Sequence, residues 1–157
     1  MSLQDQTTYR RRRTGSSLTF FKKTWIIFGS SPAKKLRQVR LLLSEQPEDV
    51  DLRLRLASLL ADEGRNEEAI VEWCAAKILL PSDSDVEGDE LLSQRNARSH
   101  YILGVILHNK GLVPQAIEEW DKASDLDAFV VGDLARSRAS AARNSGYAQA
   151  NEGDSAL

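Results

Sequence analysis

The feature that most constrains this chain is a segment that occurs twice. Gly64 to Pro81 reads GRNEEAIVEWCAAKILLP, and Gly111 to Ala128 reads GLVPQAIEEWDKASDLDA. The two align without a gap at an offset of 47 residues, which sets Gly64 over Gly111, Ala69-Ile70 over Ala116-Ile117, Glu72-Trp73 over Glu119-Trp120, Ala76 over Ala123 and Leu79 over Leu126. Self-similarity at a fixed offset in this range points to one supersecondary unit stacked on another copy of itself, because a single unit cannot bury its apolar face alone. At 157 residues the chain is long enough for one continuous core.

The periodicity is helical throughout, and no segment reads as a confident strand. Ser31 and Pro32 open a helix that carries Leu36, Val39, Leu42 and Leu43 on one side and stops before Pro47. From Asp49, residues Val50, Leu52, Leu54, Leu56, Leu59 and Leu60 form a broad apolar surface, and Gly64 supplies the stop. Asn66 caps the next helix, with Ala69, Ile70, Trp73, Ala76, Leu79 and Leu80 inward, and Pro81 ends it. Residues 82–88, SDSDVEG, form an acidic loop before a helix from about Asp89 to Asn109. Pro114 opens another with Ala116, Ile117, Trp120, Ala123 and Leu126 apolar, and a last helix covers about 129–143, with Val130, Leu134 and Ala141 on its apolar side. Residues 1–30 read as a basic, partly disordered extension with a short apolar segment, 31–143 as the helical domain and 144–157 as a disordered tail.

At the two repeated segments the chain resembles the tetratricopeptide repeat family, whose unit is a 34-residue helix–turn–helix with small and large residues at fixed places. The first copy spans about 50–83, with Leu56-Ala57, Leu60, Gly64, Ala69, Trp73, Ala76 and Pro81 at those places. The second spans about 97–130, with Leu103-Gly104, Leu107, Gly111, Ala116, Trp120 and Ala123, and has Ala128 where proline is usual. Small residues at Ala57, Gly104, Ala69 and Ala116 allow close helix approach, and the tryptophans fill the space against the next helix. Thirteen extra residues, Ser84–Asn96, separate the copies and extend the helix before Ala97. The resemblance implies an all-α solenoid of right-handed helical hairpins. Segment 16–46 would be a diverged third hairpin and 129–143 the terminal cap.

It also implies an adaptor or scaffold that binds a partner peptide or helix in a groove lined by the first helix of each pair. The groove places fall on Asp51, Leu54, Ser58 and Asp62 in the first repeat, and on Arg98, Tyr101, Val105, His108 and Asn109 in the second. Arg98, Tyr101 and Asn109 have the chemistry for peptide recognition: a charged fork, a flat aromatic ring and an amide. The family members that grip chaperone C-termini use a Lys and Asn pair. Leu54 and Ser58 stand there instead, so that clamp is absent.

Catalytic chemistry has no visible basis: there is no Gly-rich phosphate loop, His-Glu metal motif or nucleophile elbow, and neither enzyme activity nor a cofactor is expected. His100 and His108 lie about two turns apart with no ligand at metal spacing, so no metal is expected. The single cysteine, Cys74, follows a core tryptophan and reads as a packed small hydrophobe, which fits a reducing compartment. The ending Ser155-Ala156-Leu157 resembles ligands of PDZ domains on three residues only.

Charge divides the chain. Residues 1–40 carry ten Lys/Arg against Asp5, and residues 41–157 carry eleven Lys/Arg against twenty-two Asp/Glu. Arg10, Arg11, Arg12 and Arg13, followed by Phe21, Lys22, Lys23 and Trp25, have the composition of a segment that lies on an anionic membrane surface. The alternative function is therefore a peripheral assembly factor anchored by this head. The competing reading packs the aromatic residues onto the solenoid. Organelle transit peptides share the composition as well, and nucleic acid binding through the arginines would be nonspecific. The apolar stretch Phe20–Phe28 is too short to span a bilayer, so the expected location is cytoplasmic, with or without membrane association.

Overall fold

The computed structural model describes residues 31–86, 88–127 and 129–153, with Val130 and residues 147–153 described by backbone alone. Among the described residues there are six α-helices and no strand: α1 (Pro32–Glu45), α2 (Val50–Asp62), α3 (Asn66–Leu79), α4 (Glu90–Asn109), α5 (Val113–Leu126) and α6 (Val130–Gly153). A single 3-10 turn, Asp83–Asp85, lies between α3 and α4. The expected all-α architecture is present, built as the hairpins α2/α3 and α4/α5 with α1 before them and α6 after.

The offset of 47 seen in the sequence recurs in the backbone. α3 and α5 are each 14 residues long and begin 47 residues apart, at Asn66 and Val113. Both hairpins turn through a glycine in the left-handed region, Gly64 at φ +73° and Gly111 at φ +77°. In both, the amide of the residue just before the second helix closes the turn: Arg65 N–H donates to Leu60 O and Leu112 N–H donates to Leu107 O, each at 2.9 Å. A side chain at either glycine would strain this backbone, which is why glycine stands at both.

α2 starts at a capped end, where the Asp49 carboxylate accepts a hydrogen bond from Leu52 N–H at 3.0 Å. The place 47 residues on is Asn96, but it caps nothing, because α4 starts at Glu90 under its own cap, Asp89. Asn96 is instead fully buried and donates to Pro81 O and Asp83 Oδ1, so the two extra turns of α4 are tied to the loop that precedes them.

The core is one continuous cluster. Leu36 and Val39 of α1 meet Leu54, Leu56 and Leu60 of α2; Ala69 and Ala76 of α3 follow, then Ile102 and Ile106 of α4, Ala116, Trp120 and Ala123 of α5, and Ala135, Ala139 and Ala142 of α6. Each fully buried leucine or isoleucine here is worth about 1.5–3 kcal/mol relative to exposure. Gly104 is there for close approach, since a β-carbon built on it would sit 2.4 Å from Trp120 Nε1.

Several expectations are corrected. Asn66 is the first residue of α3 and offers no cap; Arg65 precedes it. Leu79 and Cys74 are exposed, because α3 turns that side away from α2 and α4. α6 packs through its alanines, leaving Leu134 half exposed, and its helix runs to Gly153 rather than ending at about 143. The proposed hairpin partner at 16–29 lies outside the described residues.

Candidate binding face

The first helices of the successive units, α2, α4 and α6, lie side by side and carry a run of polar and aromatic groups across one face. Asp51 of α2 accepts from Arg95 Nη2 at 2.9 Å and Nε at 3.3 Å, and lies 3.5 Å from Arg98 Nη1, both from α4. One helical turn beyond Asp51 stands Arg55. Burial, and secondarily the like charge of Arg98, hold its guanidinium below the usual arginine range. Arg55 Nε is buried with no hydrogen-bond partner. One turn beyond Arg98, Tyr101 presents its ring to Arg138 of α6, whose guanidinium carbon lies 5.6 Å from the ring centre, within cation–π range.

Among the described residues from Arg40 onward, Arg40, Arg53, Arg65, Lys77, Arg95, Arg98, Lys110, Lys122, Arg136 and Arg143 are ion-paired. Arg55 and Arg138 are the two cations of that stretch without a carboxylate partner, and both belong to this face.

A second polar cluster sits away from it, between α4, α5 and the loop. His100 Nδ1 lies 2.6 Å from Glu119 Oε2 and His100 Nε2 lies 2.9 Å from Asp83 Oδ2. Lys122 donates to the other Glu119 oxygen at 2.6 Å. Burial is the largest single influence on Glu119 and pushes its carboxyl up, but hydrogen bonds from His100 and Lys122 outweigh it and leave the group below the usual carboxylate range. Asp83 behaves alike, with burial opposed and overcome by His100, Lys77 and Asn96. This cluster fastens the loop to the second hairpin. Among the described residues no group of His, Cys, Asp and Glu is arranged to hold a metal ion.

The nine groove residues expected from the sequence are not all alike. Asp51, Ser58, Arg98 and Tyr101 have surface on or beside this face, and Asp62, His108 and Asn109 stand toward the turn ends of α2 and α4. Leu54 has no exposed surface and Val105 is 6% exposed, so neither offers contact to a partner and the expectation for these two is corrected; both are apolar side chains drawn into the core. Asn109 spends its amide within the molecule, donating to Ala61 O at 2.8 Å and Asn66 Oδ1 at 3.1 Å, which locks the second hairpin to the first. The ring of His108 lies 5.6 Å from that of Trp120. Sequence reasoning missed Arg55, Arg95 and Arg138. The membrane-surface residues Arg10–Arg13, Phe21, Lys22, Lys23 and Trp25 lie outside the described residues. No described helix is long and apolar enough to cross a membrane.

The tetratricopeptide repeat family model matches residues 36–84, a span that begins in α1 and ends just past α3. Residues 36–84 are thus similar to the tetratricopeptide repeat. The match takes in the first repeat and most of the helix before it; the second repeat is tied to the first by the 47-residue offset that the two hairpins share. Tetratricopeptide repeats are an interaction fold that mediates contacts between proteins. Comparison of the chain with curated proteins and with solved structures gives no match.

Proposed function

We propose that this tetratricopeptide repeat protein is a non-catalytic adaptor or scaffold that holds a peptide or helix of a partner protein against the face formed by α2, α4 and α6. The observation that carries the reading is the run Asp51–Arg98–Tyr101–Arg138, in which three helices from successive units contribute to one surface. Arginine and tyrosine are the residue types that most often dominate the energetics of protein interfaces, because each joins a large flat contact area to directional hydrogen bonds. The face is built on helices packed into a core rather than on loops, so little ordering accompanies binding.

The test is affinity capture from native lysate with the full chain and with the double variant Arg98→Ala, Tyr101→Ala, both checked for helical content. A partner retained by the parent and lost by the variant supports the reading. A partner retained equally by both removes the face from the function.

A further inference from the structure

We infer that the occupant of the α2/α4/α6 face is an acidic stretch of the partner protein, whose carboxylates complete the unpaired guanidiniums of Arg55 and Arg138. The inference rests on the adaptor reading and adds the chemistry of the partner to it.

Three observations converge. The first is the charge contrast. Residues 31–157 carry fifteen Lys/Arg against twenty-two Asp/Glu, so the body repels an acidic segment in general. Yet Arg55, Arg95, Arg98 and Arg138 share this one face with Asp51, which is already engaged by Arg95 and Arg98. The second is the pairing pattern. Within the two hairpins and α6 the other described lysines and arginines have found a carboxylate, whereas Arg55 and Arg138 have not; the other cations without one, Lys34, Lys35 and Arg37, lie on α1, away from this face. The third is the state of Arg55. Its Nε is already out of water and without a partner. A carboxylate that meets the exposed part of this guanidinium gains a charge-assisted hydrogen bond while part of the group's desolvation has already taken place during folding. Tyr101, beside Arg138, gives the peptide an aromatic surface on which to lie.

A peptide fits better than a nucleic acid. Two unpaired cations set in a net-negative body suit a short run of carboxylates, whereas a long polyanion would meet repulsion beyond the face. The site also differs from a terminal-carboxylate clamp, since Leu54 is buried and Ser58 has no charge to offer.

The experiment uses the full chain with Arg10, Arg11, Arg12 and Arg13 replaced by serine, so that the basic head does not compete. The probe is a fluorescein-labelled peptide of alternating glutamate and alanine, blocked at both ends, followed by fluorescence anisotropy at low salt. The matching glutamine–alanine peptide and a single-stranded oligonucleotide serve as comparisons. Saturable binding of the glutamate peptide is expected, at least about tenfold tighter than the glutamine peptide and weakening with salt. Arg55→Gln with Arg138→Gln should weaken it at least about tenfold, and Arg136→Gln with Arg143→Gln, the same loss of charge from arginines that already have partners, should change it less than about twofold. An NMR titration of the parent supplies a readout independent of any variant: the Arg55 Nε–H signal should move on adding the glutamate peptide. No saturable binding, equal weakening by the two double variants, a stationary Arg55 signal or tighter binding of the oligonucleotide would each overturn the inference. If the glutamate peptide fails while the Arg98, Tyr101 variant still loses its captured partner, this inference falls and the adaptor reading stands. If that variant keeps its partner, the adaptor reading falls as well.

Discussion

The two hairpins are copies in sequence, but they use equivalent residues differently. In the first, Arg53 of α2 reaches Glu72 of α3 at 3.1 Å with both side chains partly exposed. Moving each residue by 47 gives His100 and Glu119, which meet at 2.6 Å with side chains only 10% and 12% exposed, and Asp83 of the connecting loop closes on the other ring nitrogen. The tryptophans diverge in the same sense. Trp120 is 2% exposed and its indole N–H donates to Tyr101 O within its own hairpin. Trp73 is half-buried, and its indole N–H crosses to Ser99 O of the next hairpin at 3.0 Å. Ala57 becomes Gly104, which lets Trp120 press onto α4. The second hairpin is thus closed on itself and drier, while the first holds to its neighbour. One pattern can serve as an internal lock in one unit and as a joint between units in the next.

The comparison is broken most directly by removing the tryptophans. Trp120→Ala should cost about 3–5 kcal/mol and Trp73→Ala about 1–2 kcal/mol, following their burial. Urea unfolding of both variants measures this, and equal losses would mean that the two hairpins are closed alike. A smaller effect is expected at the residue beneath Trp120. Gly104→Ala should destabilise by about 1–3 kcal/mol, because the new methyl group meets an indole that has no free space to retreat into. Ala57→Gly should lose only about 0.5–1 kcal/mol, mostly through backbone freedom. Thermal unfolding of the pair decides it, and a neutral Gly104→Ala would show that the close packing there is not required.

The mildest test sharpens the ion-pair comparison through pH. Glu119 and Asp83 are held below their ordinary range in the folded chain. Their contribution is therefore complete above the unfolded carboxylate values of about 4 and is lost as pH falls through the lower folded values. Stability should decline on the acid side below about pH 4, and Glu119→Gln should flatten that decline. A melting curve series from neutral pH into acid checks it; an unchanged acid limb in Glu119→Gln would place the acid sensitivity elsewhere.

The fold was legible because its determinants are local and repeated. Ala57, Ala69, Gly104, Ala116 and the two tryptophans recur at one offset, and helix packing follows from such spacing directly. The binding face was only partly legible. Arg55 sits in the run VDLRLRLA, where alternating leucines draw attention to the core and leave the arginines looking like solvated spacers. The contact of Arg138 with Tyr101 joins α6 to α4 across a turn and a whole intervening helix, and no spacing within one segment announces it. Leu54 was misplaced because a family position describes a place on a helix, not whether the residue there is apolar enough to be drawn inside. For His100 a signal existed: the offset that aligns Glu72 with Glu119 also aligns Arg53 with His100, and only the change of residue type concealed the pair.

The stacking of the helices has a mechanical consequence. α1 leans mainly on α2, and α6 leans on α5 and α4, so stability is handed along the array from neighbour to neighbour and the ends can fray before the middle does. A bound segment lying across α2, α4 and α6 would touch three members of one layer together and act as a splint. At a free concentration of about one hundred times its Kd, such a ligand adds about 2.7 kcal/mol to the whole, and slower amide hydrogen exchange in α6 would report the engagement even though no helix had moved.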